Sequence, residues 1–178
     1  VQTGQLEEMY SERFGDGKVF HIPLGVERDY FEPYEAKRSE RFELVTVANL
    51  RTAKGLDYLI RAIPEVAKVT KNVHLTIVGE GPERKNLEDL IDRLHLRDKV
   101  ELAGYVARDD LKGYYERADL FCLSSMNEVF GKVLIEAMAC GKPIVSTNGP
   151  GPRQIVDEGR NGVLVPPMNP CLLYTSPS

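Results

Sequence analysis

Glu128 and Glu136 stand eight residues apart in the run EVFGKVLIEAMACG, residues 128–141. Residues 133–140 are apolar but for Glu136. A helix apolar on every side is buried on every side. An ionisable group set in such a helix needs a partner or a cleft to face. Glu128 falls just before the helix, where the chain turns out of a strand. Gly131, between the two, lets a ligand approach the backbone. The N–H groups of Gly131, Lys132 and Val133 open the helix and can hold a phosphate. A carboxylate one turn further on can accept hydrogen bonds from ribose hydroxyls. A carboxylate in the loop can accept them from sugar hydroxyls. Together these are the parts of a nucleotide-sugar site. Singly, each carboxylate has a plainer reading: Glu136 reaching solvent, Glu128 favouring the positive end of the helix dipole.

Such a site needs a strand before it and a scaffold beside it. Residues 42–49 (FELVTVAN) are β-rich and mostly apolar, and 73–79 (VHLTIVG) read as a strand. Shorter strands are expected at 100–103, 119–123, 143–147 and 162–165. Helical spacing marks 56–69, with Leu56, Leu59, Ile60, Ile63, Val66 and Ala67 on one face. Pro64 lies inside that stretch and predicts a kink or break. Further helices are expected at 83–96, with Leu87, Leu90, Ile91 and Leu94 inward, and at 109–118 and 131–140, with a brief one around Ile155. Ahead of these, 1–18 reads as a short polar helix and 19–22 as a short strand, and 23–41 is charged and turn-rich. Alternating short apolar strands and helices predict an α/β fold: a Rossmann-like parallel sheet with helices on both faces. Ligands of such sheets bind at the carboxyl ends of the strands. The loops to search are therefore 49–55, 79–82, 104–109, 124–131 and 147–153.

Composition removes other classes. The chain has 178 residues, enough for one domain or one and part of another. Its 23 Lys+Arg against 27 Asp+Glu give a net charge of −4, not the basic excess of a nucleic-acid binder. At 42% hydrophobic and 28% charged it is neither disordered nor fibrous. No apolar run approaches the roughly 18–20 residues that cross a bilayer. Cys122, Cys140 and Cys171 are odd in number and widely spaced, so neither a disulfide scaffold nor a zinc site is expected, and a reducing, cytoplasmic setting fits. His21, His74 and His95 read as structural or exposed. The chain begins at Val1 with no signal pattern, as a fragment or processed form would.

The stretch EVFGKVLIEAMACGKPIV resembles the E-x7-E motif of retaining, GT-B-fold glycosyltransferases of family 4, the glycosyl transferases group 1 domain. Four more segments match in order: VFHIPLGVERDYF from Val19, VANLRTAKG from Val47, LTIVGEGPER from Leu75 and GRNGVLVPPMNP from Gly159. The resemblance covers about Val19 to Pro170. It implies that Glu128 contacts the donor sugar and Glu136 the ribose. The amides of Phe130, Gly131, Lys132 and Val133 would hold the diphosphate. Lys54 would neutralise the leaving diphosphate as charge builds in the transition state, a large term in catalysis. Asn49 stands where the family has the second cation of the pair, and Arg51 is the nearest substitute. Gly79 and Gly81 would turn the chain beneath the nucleotide, and Tyr105 and Val106 would border the base. The loop at 149–154 departs from the family pattern at Pro150 and Gln154, and a supporting role is expected of it.

The resemblance further implies a metal-independent hexosyltransferase. Its substrate would be a UDP- or GDP-linked sugar, no cofactor would be needed, and a glycan or lipid acceptor would be held by a preceding domain. Residues 1–18 are expected to end that N-terminal domain, 19–170 to form the C-terminal nucleotide-sugar-binding domain, and 171–178 to be an unmatched, non-native tail. The isolated chain would then be inactive in transfer. The full-length enzyme would be cytoplasmic, with room for peripheral contact at the inner membrane face. Two other classes share these features. One is a non-catalytic nucleotide-sugar-binding module or an epimerase. The other is an NAD-binding Rossmann domain, whose fingerprint Gly79-x-Gly81 would open, though Arg84 holds the third glycine position.

Overall fold

The computed structural model describes residues 8, 11–13, 25–26 and 40–168. The strand expected at 19–22 and the tail at 171–178 lie outside the described residues. Residues 8 and 11–13 are helical.

Six strands form one sheet: β1 (Phe42–Val47), β2 (Val73–Val78), β3 (Val100–Gly104), β4 (Leu120–Leu123), β5 (Ile144–Thr147) and β6 (Gly162–Val165). Their spatial order is β3-β2-β1-β4-β5-β6, and every pairing is parallel. The helices between them are α1 (Leu56–Val69), α2 (Arg84–Arg93), α3 (Arg108–Arg117), α4 (Lys132–Ala139) and α5 (Pro152–Ile155). A single 3₁₀ turn, Thr52–Lys54, precedes α1.

Side chains alternate across a strand, and here they feed two cores. Leu44 of β1 packs with Leu75, Ile77 and the apolar faces of α1 and α2. Its neighbour Val45 packs with Phe121, Ile144, Tyr115 of α3 and Leu134 of α4. A strand buried on both sides must be apolar at successive positions, which is why β1 reads as a continuous run. The chain walks from β1 outward to β3, then α3 carries it back to β4, beside β1. The right-handed rule for parallel crossovers puts α1 and α2 on one face and the later helices on the other. The reversal leaves a crevice between the carboxyl ends of β1 and β4.

Two expectations about elements need correction. The chain stays helical through Pro64. A proline inside a helix costs about 3 kcal/mol, from the lost ladder bond and the clash of its ring. Leu59, Ile60, Ile63 and Val66 are buried on one stripe, and each contributes roughly 1.5–3 kcal/mol. The helix expected to reach 96 stops at Arg93. His95 takes a positive φ of 56°. Leu96 N–H donates to the Ile91 carbonyl at 2.9 Å and His95 N–H to that of Asp92 at 3.0 Å. This is a Schellman ending, with His at the position glycine usually holds. Among the described residues after 40, the other boundaries fall within two residues of expectation.

Candidate functional site

A cleft of about 420 Å³ opens at the crevice between β1 and β4. Its walls come from four loops: Val47, Ala48, Asn49 and Lys54 after β1; Val78, Gly79 and Glu80 after β2; Tyr105, Val106 and Leu111 after β3; Leu123, Glu128, Gly131, Lys132 and Val133 after β4. That volume is in the range of small-ligand sites. Nine of the residues singled out from sequence are therefore brought together: Asn49, Lys54, Gly79, Tyr105, Val106, Glu128, Gly131, Lys132 and Val133.

Backbone hydrogen bonds lock these loops to one another. Ala48 N–H donates to the Val78 carbonyl, Leu50 N–H to that of Glu80, and Gly79 N–H to that of Gly104. Gly79 has φ 140°, and a Cβ there would collide with the Ala48 carbonyl oxygen. Glycine at 79 is thus required by two loops crossing at close range. In a dinucleotide fingerprint the first glycine serves a tight turn and the second the close approach of a pyrophosphate. Gly81 crosses the Leu50 backbone in the same way and does not line the cleft. Arg84 is committed to Glu80 at 2.8 Å and Glu88 at 2.9 Å.

Lys54 Nζ donates to Glu128 Oε2 at 2.8 Å inside the cleft. Their side chains are 29% and 15% exposed, so the pair is only partly screened by water. Ser125 Oγ donates to the same oxygen at 3.0 Å. The loops bearing the pair are tied together: Ser124 Oγ donates to the Lys54 carbonyl at 2.8 Å and Met126 N–H to that of Ala53 at 2.9 Å. From the far side, Gly151 N–H donates to the Glu128 carbonyl at 2.9 Å. The loop after β5 therefore holds the backbone of Glu128 in place. Gly131 has φ 84° at the N-cap of α4, and no side chain caps that terminus. Its open N–H groups and the positive end of the helix dipole face the cleft, a favourable place for an anion.

Glu136 is 7% exposed, deep in α4. The partner its burial demanded is Tyr115, whose hydroxyl donates to Glu136 Oε2 at 2.8 Å. Lys132 Nζ lies 3.7 Å from Oε1. Burial, and then the charge of Glu136, push the Tyr115 phenol well above its ordinary pKa, so it stays a donor. Glu136 is not in the wall of the cleft; Lys132, one turn before it, is.

Arg51 does not join Lys54. It is exposed and lines a separate groove of about 290 Å³ with Tyr58, Arg61 and Arg93. Phe130 is not in the wall of the cleft; it stands just before Gly131, the N-cap of α4. Tyr105 is 79% exposed at the rim. His74 faces Glu43 at 3.2 Å on the neighbouring strand, away from the cleft. Cys122 and Cys140 are buried free thiols, pushed up to about 12 and about 11 by burial. Among the described residues, no group of His, Cys, Asp and Glu is arranged to hold a metal ion, and no helix is long and apolar enough to cross a membrane.

Sequence reading passed over Ser125 and Tyr115. Ser125 was legible as a small polar residue three before Glu128. Tyr115 carried one signal, an aromatic hydroxyl on the buried side of a short polar helix.

Comparison with known proteins bears on this site. The family model described as glycosyl transferases group 1 matches residues 28–173. An uncharacterised glycosyltransferase of Methanocaldococcus jannaschii is 41% identical over 127 residues, 71% of this chain and 32% of that protein. The phosphatidylinositol N-acetylglucosaminyltransferase gpi3 subunit of Schizosaccharomyces pombe is 32% identical over 140 residues, 78% of this chain and 31% of that protein. Among solved structures, Anabaena Alr3699/HepE in complex with UDP superposes with a TM-score of 0.81 at 25% identity, covering 97% of this chain and 50% of that one. The chain thus spans about a third of the length of these curated relatives and half of the solved chain.

Proposed function

The chain belongs to the glycosyl transferases group 1 family, and we propose that it forms the C-terminal, donor-binding half of a retaining GT-B glycosyltransferase of family 4. The enzyme would move a hexose-type sugar from a nucleoside-diphosphate donor to a glycan, lipid-linked or small acceptor. One observation carries the reading. The Lys54–Glu128 pair and the uncapped start of α4 converge on one cleft at the sheet's switch point. That is where open α/β sheets bind ligands.

The parts divide the work by charge. The amides of Gly131, Lys132 and Val133 hold the diphosphate against the positive end of α4. Glu128, braced by Ser125 and the Gly151 amide, accepts hydrogen bonds from sugar hydroxyls. As the bond to the anomeric carbon breaks, negative charge grows on the diphosphate. Lys54, already in the cleft, is positioned to meet that charge, and stabilising developing charge is a large catalytic term. Lys54 and the helix terminus supply the positive charge a divalent cation would otherwise bring, so the proposed reaction is metal-independent and uses no cofactor. UDP in the HepE complex makes a UDP-linked donor the first to try, with GDP-linked sugars second.

Titration calorimetry of the purified chain with UDP, GDP, UDP-glucose, GDP-mannose and NAD tests this. At least one nucleoside diphosphate is expected to bind, and NAD not to. A charge-assisted hydrogen bond is worth about 1.5–3 kcal/mol. Lys54→Ala should therefore weaken that ligand about 10–100-fold. Tight NAD binding with no response to any nucleoside diphosphate would overturn the reading, as would full affinity in Lys54→Ala.

A further inference from the structure

Tyr115 lies on α3 and Glu136 on α4, two helices on the same face of the sheet. Its ring is fully buried and packs against Phe121 of β4, centroids 5.5 Å apart. A Tyr ring wedged this way has little freedom, so its hydroxyl is a fixed point. That hydroxyl meets Glu136 Oε2 at 2.8 Å. The other oxygen, Oε1, lies on the side of Lys132, which lines the cleft. A carboxylate has about four lone-pair sites. One is taken by the phenol; Glu136 itself is not in the cleft wall, and Oε1, beside Lys132, keeps capacity for a second partner.

We propose that Tyr115 is a positioning residue for donor binding: its hydroxyl locks the carboxylate of Glu136 so that Oε1 is held toward the cleft. The proposal rests on the reading of Glu136 as a donor contact. A carboxylate free to rotate about its last torsions would lose part of its binding free energy to ordering. The wedge of Phe121 against Tyr115, and of Tyr115 against Glu136, removes that loss in advance. The phenol also satisfies a buried charge, which is a purely structural service. The two roles differ in what they move: the structural one moves stability alone, the positioning one also moves ligand affinity, and only through Glu136.

A double-mutant cycle in the full chain separates them, with UDP and GDP as probes by calorimetry. Tyr115→Phe keeps the ring and removes only the hydroxyl. It is expected to weaken the nucleotide about tenfold, and Glu136→Gln at least as much. The double variant should bind no more weakly than Glu136→Gln alone, because Tyr115 then has no carboxylate to direct. Thermal unfolding of all four proteins reports the structural part separately. Wild-type affinity in a folded Tyr115→Phe would overturn the proposal. So would a double variant whose losses multiply. Should Tyr115→Phe fail to fold, Phe121→Leu, which keeps the hydroxyl but loosens the ring that aims it, is the second variant: a folded protein with weakened nucleotide binding supports positioning, and wild-type affinity overturns it. If the wild type binds neither nucleotide, or Glu136→Gln changes nothing, the donor-contact reading of Glu136 has failed first.

Discussion

Glycines in this chain divide by what surrounds them, and two of them test how the cleft is built. At Gly79 the backbone has φ 140°, and a Cβ would strike the Ala48 carbonyl oxygen. Both the conformation and the contact involve backbone, so neither relaxes cheaply. Gly79→Ala is expected to lose about 2–3 kcal/mol of stability and to weaken nucleotide binding, since it separates the loops after β1 and β2. Gly113 is the control. It sits in α3, exposed, with nothing within 4 Å of its Cβ position. Gly113→Ala should gain about 0.5–1 kcal/mol. Urea midpoints measure both, and equal midpoints for the two variants would contradict this account of the loop crossing.

Helix α1 shows tertiary burial overriding a local rule. Pro64 sits inside it, yet the chain stays helical from Leu56 to Val69. Pro64→Ala restores a donor and a better helix former, offset by the freer unfolded chain. A net gain of about 1–2 kcal/mol follows, or roughly 2–8 °C in Tm for a domain of this size. A Tm at or below wild type would show that Pro64 is itself needed for packing. The same competition explains what could be read in advance. The six strands and the order of helices were legible because most strands are short and largely apolar, and α1 and α2 carry clear apolar stripes. The end of α2 was not, because His95 serves in a left-handed position that sequence assigns to glycine. At the site, residue types and loops were legible: Lys54, Glu128, Gly131 and Val133 all reach the cleft. Pairings were not. Lys54 meets Glu128 across 74 residues, and Tyr115 meets Glu136 across 21. Such contacts depend on the order of strands, which no local pattern contains. Arg51 illustrates the limit, being two residues from Asn49 in sequence but turned to another groove.

At the scale of the whole molecule, the chain is mildly acidic, with a net charge of −4. On the proposed reading, the positive charge that meets a diphosphate is therefore local, supplied at contact range by Lys54 and the start of α4. Salt near 1 M, with a Debye length of about 3 Å, should weaken distant surface charges far more than these partly buried ones. Among the described residues, the cleft is walled by the segments at and after the carboxyl ends of β1 to β4. One solved chain that this one resembles, HepE, is twice as long, and this chain covers 50% of it. Catalysis of transfer needs the acceptor held within reach of the anomeric carbon, a positioning effect worth about 7–11 kcal/mol when complete. Nothing in the four loops that line the cleft offers a second, acceptor-sized wall. On the proposed reading, the purified 178-residue chain should therefore bind a nucleoside diphosphate yet transfer its sugar no faster than slow hydrolysis allows. Radiolabelled UDP-glucose or UDP-N-acetylglucosamine, incubated with the chain and a panel of glycan and lipid acceptors, measures this directly. Binding without transfer is the expected outcome. Efficient transfer by this chain alone would mean that one Rossmann-like domain contains the whole active site, and the half-enzyme reading would have to be abandoned.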